Sequence, residues 1–323
     1  MRLIGILLAV GTFGVAQSTA PLRLEKIIPM QGVQGRIDHM AFDAHRGRLF
    51  IAALGNNTIE VIDTREGKRI HSISGLREPQ GILYLPDVNR IYVANGGDGT
   101  LRIFNGSSYQ RIKTVTLGDD ADNIRFDAQR KQIYVGYGSG GLAVLSEDGT
   151  KVADINLDSH PESFQLEKNG PGLFVNLPQT RKVVSVNRAT RSVMANWTTD
   201  GASSNFPMAI DEKDRRLFIV CRVPARLLVM DTDTGKIVEE LPAIGDSDDV
   251  FYDRLRKRIY ATGGEGGISI YQQDDANHYR QIANVSTVKG ARTSFLSPDS
   301  SELFVAARAQ GSEPAAIRVY STQ

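Results

Sequence analysis

One short phrase recurs seven times along the chain. Leu49-Phe50-Ile51-Ala52-Ala53-Leu54 is the first copy, and Arg90-Ile91-Tyr92-Val93-Ala94-Asn95-Gly96 is the clearest. The others begin at Ile133, Leu173, Leu217, Ile259 and Leu303, each an aliphatic residue followed by Phe or Tyr and a further aliphatic residue. Counted from Leu49 through Ile91, successive copies start 42, 42, 40, 44, 42 and 44 residues apart. Aromatic and β-branched runs of this length that end at Gly, Asn or Pro read as strands. Strands returning at such a period describe a repeat architecture in which each unit buries its faces against its neighbours.

Each unit carries four strand-like pieces. In the first they are His39 to Asp43, Leu49 to Leu54, Thr58 to Thr64 and Lys68 to Ser74, separated by Arg46-Gly47, Gly55-Asn56-Asn57 and Arg65-Glu66-Gly67. Those separators are turn chemistry. Four antiparallel strands per unit, seven times over, predict an all-β, seven-bladed β-propeller. The seventh unit has only three strands and ends at Thr322, while Leu22 to Ile28 precedes the first unit with no inner strand of its own. The expectation is that this N-terminal segment closes the ring as the outer strand of the last blade. Residues 21–323 then form one propeller domain.

The first 20 residues read as a signal peptide. Arg2 supplies a positive start, Leu3 to Ala16 an apolar stretch and Ser18-Thr19-Ala20 a small-residue cleavage pattern. The expected location is periplasmic or secreted, with cleavage near residues 16–20 and no membrane-spanning segment in the remainder. Cys221 is the only cysteine, so no intramolecular disulfide exists and packing must hold the ring. Lys and Arg total 38 against 37 Asp and Glu, a formal net charge of +1. That balance excludes nucleic acid as the principal partner. A monomer is expected.

Tyr92-Val93-Ala94-Asn95 followed by Gly99-Thr100-Leu101-Arg102-Ile103-Phe104 resembles the YVTN β-propeller repeat. So do Asn57-Thr58-Ile59-Glu60-Val61-Ile62-Asp63-Thr64 and Leu228-Val229-Met230-Asp231-Thr232-Asp233-Thr234-Gly235-Lys236. The resemblance covers almost all of the chain after the signal segment. It implies the propeller fold and an exported setting. The wider family holds binding proteins, surface-layer proteins and some enzymes. Gln179-Thr180-Arg181-Lys182 and Val223-Pro224-Ala225 depart from the Asn-Gly turns and individualise two blades.

In a propeller the innermost strands begin near the central channel, so the residues just before them ring its mouth. Aligned, the units give an outer column of Asp38, Gln80, Asp122, Glu162, Phe206, Asp248 and Arg292. The inner column is His39, Gly81, Asn123, Ser163, Pro207, Asp249 and Thr293. Carboxylates converging with an imidazole suit Ca²⁺, Mn²⁺ or Zn²⁺. The candidate ligands are Asp38, His39, Asp122, Glu162 and Asp248. His160, two residues before Glu162, is a candidate general base, and Arg292 a candidate clamp for an anionic group. Asp and Asn at such loops also cap turns without any ligand.

Two motif matches carry no function. Gly136-Tyr137-Gly138-Ser139-Gly140-Gly141 joins two strands and has no helix to receive a pyrophosphate. Asp231-Thr232-Asp233-Thr234-Gly235 lacks the length and closing Glu of a calcium loop. Two readings of function follow. The first is a ligand- or protein-binding scaffold of the cell envelope, holding a small ligand or an envelope protein on one face of the disc. The alternative is a metal-dependent, lactonase-like hydrolase or lyase with its site at the channel mouth.

Overall fold

The computed structural model describes residues 20–323, and the signal segment expected over residues 1–20 lies almost wholly outside that range. Seven four-stranded antiparallel sheets stand around a central channel. Blade one consists of Met40–Asp43, Arg48–Ala53, Thr58–Asp63 and Lys68–Ile73, in sequence order from the axis outward. Blades two to six repeat that order. No helix among the described residues is long and apolar enough to cross a membrane.

The recurring phrase is the second strand of each blade, and it is buried on both faces. Alternate side chains point to opposite sides of a strand. Ile91 and Val93 therefore pack with Phe50 and Ile59 of blade one, while Tyr92 and Ala94 pack with Ile133 and Val135 of blade three. Both faces being covered explains why this strand is apolar throughout rather than alternating. The outermost strands alternate instead: in Arg111–Thr116 the residues are exposed or half-buried, as a rim strand with one face in water requires.

Closure follows the expectation. Leu22–Met30 pairs antiparallel with Ala315–Thr322 from Leu22 opposite Thr322 to Met30 opposite Ala315, with a bulge between Leu24 and Lys26. The last blade therefore combines the two ends of the described chain. The Gln323 amide donates to the Pro21 carbonyl at 3.0 Å, so the two ends are in contact.

Of the two turns that depart from the repeat, the one in blade four keeps its geometry, while in blade five Arg216–Val223 and Ala225–Asp231 are joined directly at Pro224. The second and third strands of blade four are joined by a short 3₁₀ turn, Pro178–Thr180, and Arg181 follows it in the left-handed region at φ 55°. Asn57 holds the same place at φ 58° and Gly99 at φ 59°. Arg181 thus accepts a conformation that Asn and Gly adopt at lower cost. The glycine run at 136–141 is a hairpin between Gln132–Tyr137 and Gly141–Ser146. In the Asp231 loop, Oδ1 accepts hydrogen bonds from the amides of Asp233 and Thr234, an ordinary turn closure.

Neighbouring blades are also tied by buried ion pairs. Asp43 ends the first strand of blade one, and its Oδ1 accepts from the amides of His45 and Arg46. Its Oδ2 accepts from Arg48 Nη2 at 2.7 Å, and Arg48 Nη1 reaches across to the Gly106 carbonyl and the Tyr109 hydroxyl of blade two. Burial alone would raise the Asp43 pKa, but Arg48 holds it below the usual carboxylate range. Arg48→Ala would leave this carboxylate buried without its cation. The expected loss is about 3 kcal/mol of unfolding free energy in urea titrations. A loss within the error of the titration would show the tie to be dispensable.

Candidate functional site: the channel mouth

The chain enters each inner strand from the loop that precedes it, and this geometry brings the outer column to one rim. All seven members, Asp38, Gln80, Asp122, Glu162, Phe206, Asp248 and Arg292, line a cavity of about 560 Å³ at the channel mouth. They share its wall with Arg36, Asp120, His160 and Arg222. The inner column lies one layer deeper, where His39, Asn123 and Ser163 border both the mouth and a second chamber below it.

The five sequence-predicted metal ligands separate into two pairs and a lone histidine. Asp122 and Glu162 come together with His160, their donor atoms all within 4.8 Å of one another. Asp38 and Asp248 are held by arginines. Arg36 Nη2 donates to Asp38 Oδ2 at 2.8 Å. Arg222 donates to Asp248, and Arg292 Nε lies 3.2 Å from its other oxygen. Arg292 Nη1 also donates to Asp246 at 2.9 Å, so this guanidinium is already engaged by two carboxylates. Arg222 lies over the Phe206 ring at 3.9 Å, which fixes the one aromatic member of the column.

His39 stands apart. Its Nδ1 is 3.4 Å from Asp249 Oδ1 and its Nε2 is 3.7 Å from Asp38 Oδ1. Burial lowers its pKa, but Asp249 and Asp38 outweigh burial and lift it to about 10. The two carboxylates favour the imidazolium form, in which both nitrogens carry protons and neither offers a lone pair to a metal.

His160 is the opposite case. Its Nδ1 is 2.6 Å from the Gly138 carbonyl. A carbonyl only accepts, so Nδ1 carries the proton, and in the neutral imidazole the lone pair is then on Nε2. A backbone partner on the far nitrogen is how metal-binding imidazoles are oriented. Asp122 is 6% exposed, and its Oδ1 is buried without a hydrogen-bond partner among the described residues. Burial and the neighbouring Glu162 push the Asp122 carboxyl up to about 8. Burial and Asp248 push Glu162 up to about 7. A cation seated between them would relieve both.

These shifts have one sign. Asp122, Glu162 and His39 all have folded pKa values above their unfolded ones, so each stabilises the fold fully below its unfolded pKa. Each contribution is lost as pH rises through the folded value. Asp248, raised to about 6 chiefly by burial, adds to the same trend. Without added metal, the melting temperature should fall steadily from about pH 5 to pH 9. Asp122→Asn removes one of these titrations and should flatten the profile. A melting temperature that rises over this range would contradict the arrangement.

Several wall residues carried no weight in the repeat alignment, yet a signal for them exists. Arg36, Glu78, Asp120, His160 and Asp246 each stand two positions before a column member. In an extended segment, residues two apart share a face. Arg36, Glu78, Asp120 and His160 all line the mouth, and Asp246 pairs there with Arg292. Arg222 follows no such rule, since it comes from the end of the second strand of blade five.

No known family profile matches the chain, and no curated protein matches it by sequence. Among solved structures it is similar to a chain of the hydrazine synthase of Kuenenia stuttgartiensis. The identity is 17%, the TM-score 0.68, and the match covers 85% of this chain and 95% of that one. It is also similar to a chain of the mitotic checkpoint complex, at 13% identity with a TM-score of 0.79, covering 100% of this chain and 99% of that one. The WD40 repeats of RRP9 match at 10% identity with a TM-score of 0.78, over 94% and 98% of the two chains. At such identities the likeness is one of fold.

Proposed function

We propose that this propeller is an exported, YVTN-type binding scaffold whose working site is the channel mouth, and that the mouth holds a divalent metal ion on Asp122, Glu162 and His160. The observation that carries the reading is the buried, unpartnered Oδ1 of Asp122 in a cluster with His160 and Glu162 whose donor atoms lie within 4.8 Å of one another. Two carboxylates and one imidazole favour Mn²⁺ or Zn²⁺ over Ca²⁺, which takes six to eight oxygen ligands. The arginine-bound Asp38 and Asp248 are wall rather than ligand in this reading. They keep three guanidinium groups folded against the rim, where Arg36, Arg222 and Arg292 limit the negative charge around the ion.

Elemental analysis of the purified protein, with melting before and after chelation, tests the proposal. Near-stoichiometric Mn or Zn and a lower melting temperature after chelation are expected. No metal and an unchanged melt, even after incubation with excess Mn²⁺ and Zn²⁺, would refute it.

One feature favours a second, catalytic reading: three protein ligands would leave a bound ion with positions open toward the mouth. Open positions distinguish catalytic zinc sites from structural ones, and a water bound there is acidified enough to act as a nucleophile near neutral pH. A lactone or ester is the substrate class to screen. Hydrolysis that depends on added metal and is abolished by Glu162→Gln would establish this reading, and its absence across the panel leaves the scaffold.

A further inference from the structure

The channel does not end at the waist formed by His39, Asn123 and Asp249. Below it lies a chamber of about 460 Å³, and its character differs from the mouth. Its walls mix apolar and polar groups, and Ile82, Leu83, Met208, Phe251 and Phe295, packed between the blades, supply apolar surface along it. Its unpaired charges are positive. Arg125 Nη1 donates to its neighbour's carbonyl, Ile124 O, at 2.9 Å, and its guanidinium lies 5.6 Å from the Phe164 ring centre. Among the described residues, no carboxylate lies within ion-pair distance of Arg125. Lys168, exposed at the far rim, is unpaired in the same sense. The one acid of the chamber, Asp249, is already used: Oδ2 accepts from the Ser294 amide at 2.8 Å and Oδ1 faces His39.

The contrast with the arginines of the mouth is sharp. Arg36, Arg222 and Arg292 each hold a carboxylate. Arg125 has comparable enclosure and none, and burial disfavours its charge. A guanidinium withdrawn from bulk water calls for a counter-charge, and its planar fork matches a carboxylate bidentately. Apolar surface beside a free guanidinium, in a cavity of this size, is a composition found in small-molecule sites, and Arg254, which also lines the chamber, is engaged by Glu212 at 3.7 Å. Water or chloride would serve the charge but leave the apolar walls uncovered.

We propose that the lower chamber is a binding site for an organic monocarboxylate with an apolar body, its carboxylate on Arg125 and its body against the Ile82, Leu83, Phe251 and Phe295 walls. The site is separate from the metal site of the mouth. A single free guanidinium, with the acid Asp249 at the inner end, selects one negative charge rather than two. Lys168 at the rim draws anions toward the opening.

Calorimetric titration of the full chain with octanoate and 3-phenylpropanoate tests the assignment, with octanamide as the uncharged control. Chelator is present throughout, so that the mouth is metal-free and failure here is distinguishable from failure of the metal reading. Saturable binding of at least one acid with one site per chain is expected. Arg125→Met should weaken that acid tenfold or more, with octanamide unchanged. Arg125→Lys keeps the charge but not the fork and should fall between. It also carries the test if Arg125→Met does not fold. Absence of saturable binding by either acid would overturn the proposal, as would equal affinity in the Arg125 variants. Tighter binding of phenyl phosphate than of 3-phenylpropanoate would overturn the carboxylate assignment.

Discussion

Deletion of residues 22–30 should leave a chain that does not close and that aggregates on expression or refolding. The strand contributes Leu22, Ile28 and Met30 to the core, all essentially buried. At about 2 kcal/mol for each buried apolar side chain, their loss alone removes about 6 kcal/mol. That is comparable with the whole net stability of an ordinary domain. The deletion also bares the hydrogen-bonding edge of Ala315–Thr322, which offers a template for another chain. A paired point variant separates this from a general intolerance of change. Ile28→Asp should reproduce much of the defect, whereas Ile27→Asp, at a position 51% exposed on the same strand, should be nearly neutral. A monomeric, cooperatively melting deletion variant, by light scattering and calorimetry, would show that the ring closes without this strand.

At the mouth, Asp122→Asn and Glu162→Gln should each lower Mn²⁺ or Zn²⁺ affinity by about a hundredfold, with the fold retained. Each replaces an anionic ligand by a neutral amide of the same shape, a loss of about 2.7 kcal/mol by the usual conversion. His160→Ala should act in the same direction. The same substitutions should raise or preserve the melting temperature of the metal-free protein at pH 8, because they remove a buried carboxyl from a cluster that resists ionisation. Opposite effects on metal binding and on metal-free stability are the signature of a site that bears strain until filled. Isothermal titration for the first and melting curves in chelator for the second provide the comparison. Unchanged metal affinity in both variants would place any bound ion elsewhere.

The ring was legible in the sequence because its physics is periodic. A strand covered on both faces must be apolar at every position, so Leu49 to Ala53 and its six counterparts are written in the same letters. The unpaired three-stranded last unit and the orphan segment at Leu22 indicated closure for the same reason. The rim was legible in part. The column of Asp38, Asp122, Glu162 and Asp248 could be aligned because each stands at or just before the start of an inner strand. What alignment cannot convey is pairing between side chains of different blades. Whether Asp248 is a free ligand or the partner of Arg222 depends on a guanidinium from the preceding blade, at the sixth place of the recurring phrase, where other copies carry Leu54, Gly96 and Gly138. His160 illustrates the same limit. It was visible two residues before Glu162 as a candidate base, but the Gly138 carbonyl that fixes its tautomer belongs to the preceding blade. The lower chamber left no sequence signal, since Arg125 is one of many arginines until its lack of a carboxylate is seen in three dimensions.

The pairing of Leu22 with Thr322 spans 300 positions, by subtraction of the residue numbers. Joining segments so far apart costs about 3 kcal/mol more in chain entropy than joining those of a ten-residue hairpin. Hairpins within each blade can therefore form early, while the seam must wait until the intervening blades hold its two halves close together. The first of the described strands, Leu22–Met30, is then among the last to be bonded. Until that moment it is a loose, partly apolar segment, and the arrival of the final strand, not the formation of any single blade, sets when the molecule becomes resistant to proteases.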